Sequence, residues 1–471
     1  MQSLVLAVQQ FPVELWKIVF ILCLHDEEFV TPSSLSAPLL LCQVCHSWRD
    51  LALSTPQLWA SLSISRFDEG EGCFPRAELA DLWLSRSSNL PLSISFGPDT
   101  LFDYVEGDDD VKSMMDVILP TLPRWRNASL CFADLTPGNV DAIPEEGAQC
   151  LEKLTLLLPA LPGEFYGESF DVGYLAPSVR YLTGMSPKLC NFEIFTNYQG
   201  FENVRWSKGI PIIWSQLTTL TLMNRMFFWE GLDILHQCIN LVECDFSLIE
   251  GYYGIPNYST KVAQLPILQS LSLAFEKNDV GVFPTPMEIF LDCLHAPALR
   301  KLCLTVNGLW SQDSYTSFIS RSNCIIESLS LTAMSISSSQ FLNCLDLLNT
   351  SLVEFKVFGL HSSSKFITNV ILDRLSYSAS DSTPDHSNIL PRLEVLELSS
   401  CVLNAEDGRI GDMIESRSVP VADPTNERTF GTLRSVRLNL KKEHWKLYPK
   451  DVELLESLNG NMDIFIDYNE H

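Results

Sequence analysis

Two hydrophobic periods divide the chain. In FPVELWKIVFILCL, Leu15, Ile18, Val19 and Leu22 recur at i, i+3, i+4 and i+7, the stripe of an amphipathic helix opened by Pro12. A loop containing Pro32, Ser33, Ser34, Ser36 and Pro38 follows. Leu41, Val44, Trp48 and Leu51 then fall at i, i+3, i+7 and i+10, which predicts a second helix ending near Pro56. Helices this short are marginal alone in water, so each needs a neighbour or a partner for its apolar face.

Beyond an acidic connector, FDEGEGCF, the pattern changes to a recurring strand of the form L-x-x-L-x-L. It begins at Leu151, Leu217, Leu268, Leu299 and Leu393, and with isoleucine first at Ile326. About one leucine-only match is expected by chance in a chain of average composition, so five is a signal. Looser copies begin at Trp125, Val179, Leu241, Leu352 and Leu433, and the steps from Leu217 to Leu352 are 24, 27, 31, 27 and 26 residues. This period overlaps and slightly exceeds that of leucine-rich repeats, in which one strand and one returning helix make a unit. MEIFLDCLHAP, SSQFLNCLDLLNT and ITNVILDRL have the apolar spacing of the returning helices, and SYSASDSTPDHS reads as an exposed loop.

Side chains alternate along a strand, so the positions between the leucines line the opposite face of the sheet. They are Thr219, Thr221 and Met223; Ser270, Ser272 and Ala274; Lys301, Cys303 and Thr305; Ser328, Ser330 and Thr332; and Val395, Glu397 and Ser399. This lining is small and largely neutral. Binding energy concentrates in large side chains, so the candidate target-binding residues are instead Trp229, Tyr252, Tyr253 and Trp310, with Asp381 among the acidic loops.

Composition narrows the functional classes. The 471 residues exceed one compact core, and 46% hydrophobic with 19% charged residues is ordinary globular usage. Thirty-two basic against fifty-eight acidic residues give −26, which disfavours nucleic acid and anionic lipid and favours a basic protein partner. Fourteen cysteines scattered through apolar segments read as reduced thiols. The N-terminal MQSLVLAVQQ lacks the basic start of a signal peptide, and no apolar run reaches membrane-spanning length, so cytoplasm or nucleus is the expected location. No phosphate loop, dinucleotide fingerprint, nucleophile elbow or zinc-protease motif occurs, so no catalytic residue is assigned. Glu106, Asp108, Asp109 and Asp110 lack calcium-loop spacing and read as a solvated turn.

FPVELWKIVFILC followed by LLLCQVCHSWRDLALSTPQLW resembles the F-box, in the variant abundant in fungal families, over about residues 10 to 62. The landmarks are a Pro-x-Glu-Leu opening, a Val-Cys-x-x-Trp centre and a Thr-Pro-x-Leu-Trp close. Phe11 stands where the family usually has leucine, and the loop from His25 to Pro38 is long. The resemblance implies a small helical bundle at 8–62 that docks a Skp-type linker and, through it, a cullin. It also implies linker-binding roles among Pro12, Leu15, Ile18, Val19, Val44, Cys45, Trp48 and Leu51, some facing the linker and some the bundle's own core. Cys42, Cys45 and His46 also spell C-x-x-C-H, the haem-attachment pattern. Without a leader, and with both cysteines expected on the buried side of a helix, neither haem nor zinc is assigned, and no cofactor is expected.

The resulting expectation is α/β: an F-box bundle, a connector with the first repeat elements at 63–120, and an irregular leucine-rich-repeat solenoid at 121–471. The expected function is that of a non-catalytic substrate adaptor of an SCF-type ubiquitin ligase. The alternative is a repeat scaffold with no role in ubiquitination.

Overall fold

The computed structural model describes residues 11–24, 27–67, 72–98, 109–131, 146–158, 182–196, 212–223, 226–248, 261–275, 284–333, 335–359, 367–377, 389–399, 403–418, 432–439, 446, 448–458 and 462–467. Tyr252, Tyr253, Asp381, Glu106 and Asp108 lie outside them; of the looser strand copy at Val179 only residues 182–184 are described, and they are helical, the strand following instead at Asn191–Thr196. The chain is mixed α/β with mostly parallel pairing, and its contacts group into two compact units, Met1–Asn224 and Arg225–His471.

The first unit opens with three helices, α1 (Val13–Leu22), α2 (Leu41–Val44) and α3 (His46–Leu53). There follow β1 (Ser61–Phe67), β2 (Gly72–Phe74), α4 (Ala77–Arg86), β3 (Leu92–Pro98), α5 (Asp109–Ile118), β4 (Trp125–Cys131), β5 (Lys153–Leu158), β6 (Asn191–Thr196) and β7 (Thr219–Met223). Their sheet runs in the order β2-β1-β3-β4-β5-β6-β7, and only β2 is antiparallel to its neighbour. One expectation changes. Within 63–120, expected to hold the connector and the first repeat elements, the end of FDEGEGCF forms β2, which pairs antiparallel with Ser65–Phe67 of β1, and Leu62 and Ile64 of β1 are buried. Asp109 and Asp110 lie in the first turn of α5 rather than in a turn.

The second unit alternates strand and helix with few exceptions. It contains α6 (Phe228–Leu235), β8 (Glu243–Leu248), β9 (Ala263–Gln264), β10 (Ser270–Phe275), α7 (Pro286–Asp292), β11 (Leu294–His295), β12 (Lys301–Val306), α8 (Gln312–Ser322), β13 (Ser328–Ala333), α9 (Ser338–Leu347) and β14 (Glu354–Phe358). It continues with β15 (Ile367–Thr368), α10 (Asn369–Leu375), β16 (Val395–Ser399), β17 (Leu403–Asn404), α11 (Arg409–Ser416), β18 (Ser435–Asn439), α12 (Pro449–Leu458) and β19 (Asp463–Asp467). Eight strands form a wholly parallel sheet in the order β8-β10-β12-β13-β14-β16-β18-β19. Two short pairs, β9 with β11 and β15 with β17, lie apart from it.

Local chemistry sets these boundaries. Thr285 and Glu288 form a reciprocal capping box on α7, and Ser337 with Gln340 forms another on α9. Within the strands the L-x-x-L-x-L leucines are closed to water: Leu271, Leu302, Leu304, Leu329 and Leu396 have no measurable exposure. Burying each such side chain contributes roughly 1.5–3 kcal/mol.

Arginines fasten neighbouring strand–helix layers. Arg321 donates to Leu291 O (2.6 Å) and Leu294 O (2.9 and 3.0 Å), and Arg124 donates to Leu90 O and Ser87 Oγ. Arg417 is buried and donates to the carbonyls of Leu375, Leu390 and Ile389, and burial pulls its pKa down to about 10. Each guanidinium fork thus ties acceptors of a neighbouring layer's chain reversals together with charge-assisted hydrogen bonds.

Candidate functional site

The N-terminal helices present two opposite faces. Pro12 caps α1 from outside, its backbone extended at φ −55° and ψ 140°, and Glu14 sits in the first turn, where a negative charge is favourable. Trp16 and Phe20, four residues apart, turn inward onto Trp48 of α3. The ring centroids are 5.2 Å apart for Trp16 with Trp48 and 5.0 Å for Phe20 with Trp48, with Phe11 closing on Trp16 at 5.7 Å. Phe20 is wholly buried. The other face of α1 is uncovered: Leu15, Ile18, Val19 and Leu22 are between 38% and 77% exposed.

The second predicted helix is broken. Cys45 takes an extended conformation (φ −161°, ψ 171°) that ends α2 and caps α3, so Leu41, Val44, Trp48 and Leu51 do not share one continuous stripe. Arg49 Nε donates to Cys42 O at 2.8 Å across the break. The break lets Trp48 reach the aromatic cluster while Val44 stays 55% exposed and Leu41 is buried. Leu51 is half-buried, and its carbonyl accepts from Thr55 Oγ1 at 2.7 Å.

This corrects the expected placement of both cysteines on a buried helix side. Cys45 is exposed and Cys42 is half-buried. The Cys45 thiol lies 3.2 Å from Ser47 Oγ, and that contact, with the backbone N–H of Trp48, holds its pKa below the usual thiol value. Burial raises the Cys42 thiol against the opposing charges of Arg86 and Arg49. Among the described residues no group of three or more His, Cys, Asp and Glu is arranged to hold a metal ion.

Of the aromatics expected on loops, Trp310 is corrected outright. It is 7% exposed, packs on Tyr315 at 5.4 Å and donates from Nε1 to Gln312 Oε1 at 3.0 Å. A side chain so enclosed anchors the start of α8 and offers no ring to a ligand. Trp229 is half-buried and stacked on Phe227 at 4.3 Å.

The sheet face of the second unit carries more charge than its central strands suggested. Ser270, Ser272, Cys303, Ser328 and Ser330 lie on that face, with the strand leucines buried behind. The same rows continue into Glu243 and Asp245 on one side and into Glu354, Lys356, Glu397, Arg437 and Asp463 on the other. Lys356 pairs with Glu354 at 2.9 Å, and Arg437 lies 3.9 Å from Glu397 with its guanidinium over Phe465. Burial pushes the Asp245 carboxyl up, opposed by Ser272 and Lys301. Burial also acts to raise Glu354, but the Ser328 hydroxyl and Lys356 outweigh it and hold that carboxyl below its usual value. Glu243, Asp245, Glu354, Lys356 and Arg437 sit in strands whose motif is degenerate, at Leu241, Leu352 and Leu433, and Asp463 in a strand without a motif copy, so the strict pattern reached only Glu397.

No family model matches the chain, and no curated protein is similar to it. No helix among the described residues is long and apolar enough to cross a membrane.

Proposed function

We propose that the chain is a substrate adaptor of an SCF-type ubiquitin ligase, whose N-terminal helices act as an F-box that docks a Skp-type linker. The observation that carries this reading is the division of α1 into two apolar faces. Trp16 and Phe20 are absorbed by the chain itself, whereas Leu15, Ile18, Val19 and Leu22 are left in water. Four aliphatic side chains on one face of one helix form the kind of contiguous apolar surface that marks an interaction site. Leu15, Ile18 and Val19 are among the residues to which the F-box resemblance assigns linker contact, Leu22 extends their face by one turn, and Trp48 supports α1 from behind.

In this reading Pro12, Leu15, Ile18, Val19 and Val44 touch the linker, with Cys45 at its margin, and Trp48 and Leu51 position them. The parallel strands, with their returning helices, act as a leucine-rich-repeat solenoid that holds a target protein. The adaptor contributes no reactive group; it raises the effective concentration of the target near a ubiquitin-conjugating enzyme.

Co-purification of the full-length chain with a Skp-type linker and a cullin tests this directly. Recovery of both in stoichiometric amounts is the expected outcome. Recovery of the linker without a cullin indicates a scaffold outside ubiquitination, and recovery of neither removes the F-box reading.

A further inference from the structure

The N-terminal segment grips the sheet of the first unit at two places. One is apolar: Trp59, wholly buried, meets Trp83 of α4 at 4.8 Å, and Trp83 Nε1 donates to Ser61 O at 3.0 Å. The other is polar and lies in the stretch between α1 and α2. Ser61 Oγ donates to Glu28 O at 2.9 Å and accepts from Val30 N at 3.0 Å, and Ser63 N donates to Val30 O at 2.8 Å. From this seat on β1 the Glu28 side chain reaches Lys153 of β5, with Oε2 3.1 Å from Nζ. β3 and β4 lie between the two strands. Three strand steps make about 14 Å, which two long side chains meeting end to end can bridge. The pair thus spans the polar face of the sheet along the row Ser61, Ser93, Asn127 and Lys153.

Lys153 is held from the sheet as well. Glu193 Oε2 on β6 stands 3.5 Å from Nζ and accepts from Thr155 Oγ1 at 2.8 Å. Burial acts to lower the pKa of the ammonium, but Glu28 and Glu193 outweigh it and hold it above its ordinary value. The side chains of Lys153, Glu28 and Glu193 are 26%, 35% and 17% exposed, so water screens the group only in part. An exposed ion pair contributes little to stability, and what this one adds is geometry.

We propose that Lys153 is a positioning residue for the N-terminal helices: it holds Glu28 and thereby fixes the uncovered face of α1 at one angle to the sheet of the first unit. Attachment near Trp59 alone would leave the helices free to pivot about it, and the clasp on β5 supplies a second, distant point. A partner bound to α1 is then carried at a set orientation to these strands. That consequence for a linker rests on the reading of α1 as a docking surface; the clasp itself does not.

The test is double electron–electron resonance on the full-length chain, with spin labels on unnatural amino acids at the exposed Glu14 and Lys188, together with hydrogen exchange read by mass spectrometry. The parent and Lys153→Arg should each give one narrow distance. Lys153→Met and Glu28→Gln should each broaden or shift it, and the double variant should do no more than either, since both remove the same contact. In these variants peptides covering Val30 and Ser63 should exchange about threefold faster or more, with those of β4 and β5 unchanged. A lysine that only stabilised its own strand would instead loosen β5 and leave Glu28→Gln silent. Unchanged distances in Lys153→Met, or faster exchange confined to β4 and β5, overturns the proposal. Titration of a Skp-type linker against the parent keeps the two readings apart. Absence of linker binding with the distances as stated removes the docking role and leaves the clasp, whereas linker binding with unchanged distances removes the clasp alone.

Discussion

The same residue types meet opposite fates in α1 and in the strands of the second unit. Leu271, Leu302, Leu304 and Leu329 vanish beneath a parallel sheet backed by α7, α8 and α9, whereas Leu15, Ile18, Val19 and Leu22 stand in water on a ten-residue helix. Periodicity reports that a helix or strand has an apolar side. It does not report whether the chain supplies the cover. On α1 the cover exists for one side alone, because three aromatic rings gather there, and the uncovered side is the one available to a partner.

The sharpest way to break this comparison is to truncate one side chain of each kind. Leu302→Ala should lower stability by about 2–5 kcal/mol, as buried leucine truncations do. Leu15→Ala should change it by no more than about 0.5 kcal/mol, as exposed substitutions do. Urea unfolding of the two variants measures both, and an equal loss would mean that the α1 face is packed in solution.

Next in size is Arg417→Met, which keeps the volume of the stem but removes the guanidinium donors from the carbonyls of Leu375, Ile389 and Leu390, of which Leu390 O keeps the Leu393 N–H at 3.2 Å. A loss of about 2–4 kcal/mol is expected, since each unsatisfied buried group costs about 1–3 kcal/mol and water recovers part of it. A melting midpoint within experimental error of the parent would show that these carbonyls find other donors.

Thiol labelling sharpens the contrast without mutation. Cys45 is exposed with a lowered thiol pKa, whereas burial raises Cys238 to about 12 and pushes Cys244 well above the usual value. Brief iodoacetamide treatment of the native chain at neutral pH should modify Cys45 and spare Cys238 and Cys244, as peptide mass spectrometry reads directly. Early modification of Cys244 would mean that the strand layer opens under native conditions.

The smallest effect concerns Glu354. Its folded pKa lies below the ordinary 4.5, so its stabilising contribution is fully present above that value and is lost as pH falls through the lowered folded pKa. Glu354→Gln should therefore be slightly less stable than the parent near neutrality, with the difference closing as pH falls below 4.5, so that the acid loss of the variant is flatter. A steeper acid loss in the variant would reverse the assignment.

Much of the strand framework is legible in the sequence, because L-x-x-L-x-L demands an enclosed leucine at three fixed positions. Six motif copies, including the one at Ile326, each correspond to a strand: β5, β7, β10, β12, β13 and β16. β1 and β6 escaped because larger or branched residues take the same positions: Trp59, Leu62 and Ile64 in one, Leu189, Phe192 and Ile194 in the other, all closed to water. A pattern admitting any large apolar residue would have found them. The site was less legible. Leu15, Ile18, Val19 and Leu22 declare a stripe, but Trp16 and Phe20 declare a second, and only the meeting with Trp48 decides which is inward. Cys45 extends because the chain must turn Trp48 under α1 while Val44 stays out, which no helical period announces. Trp310 looked like a loop anchor, yet Gln312 and Tyr315, within five positions of it, hold it inside.

If the uncovered face of α1 is a docking surface and not a flaw in packing, its aliphatic side chains serve a partner and not the fold. Titration calorimetry of a Skp-type linker against the full-length chain and its Leu15→Ala, Ile18→Ala double variant tests this most directly, with the urea midpoint of each measured alongside. For a docking face, binding by the variant should be weaker by a factor of about a hundred or more, roughly 2.7 kcal/mol, at an unchanged midpoint. Unaltered affinity, or a loss of affinity that follows a loss of stability, would contradict it.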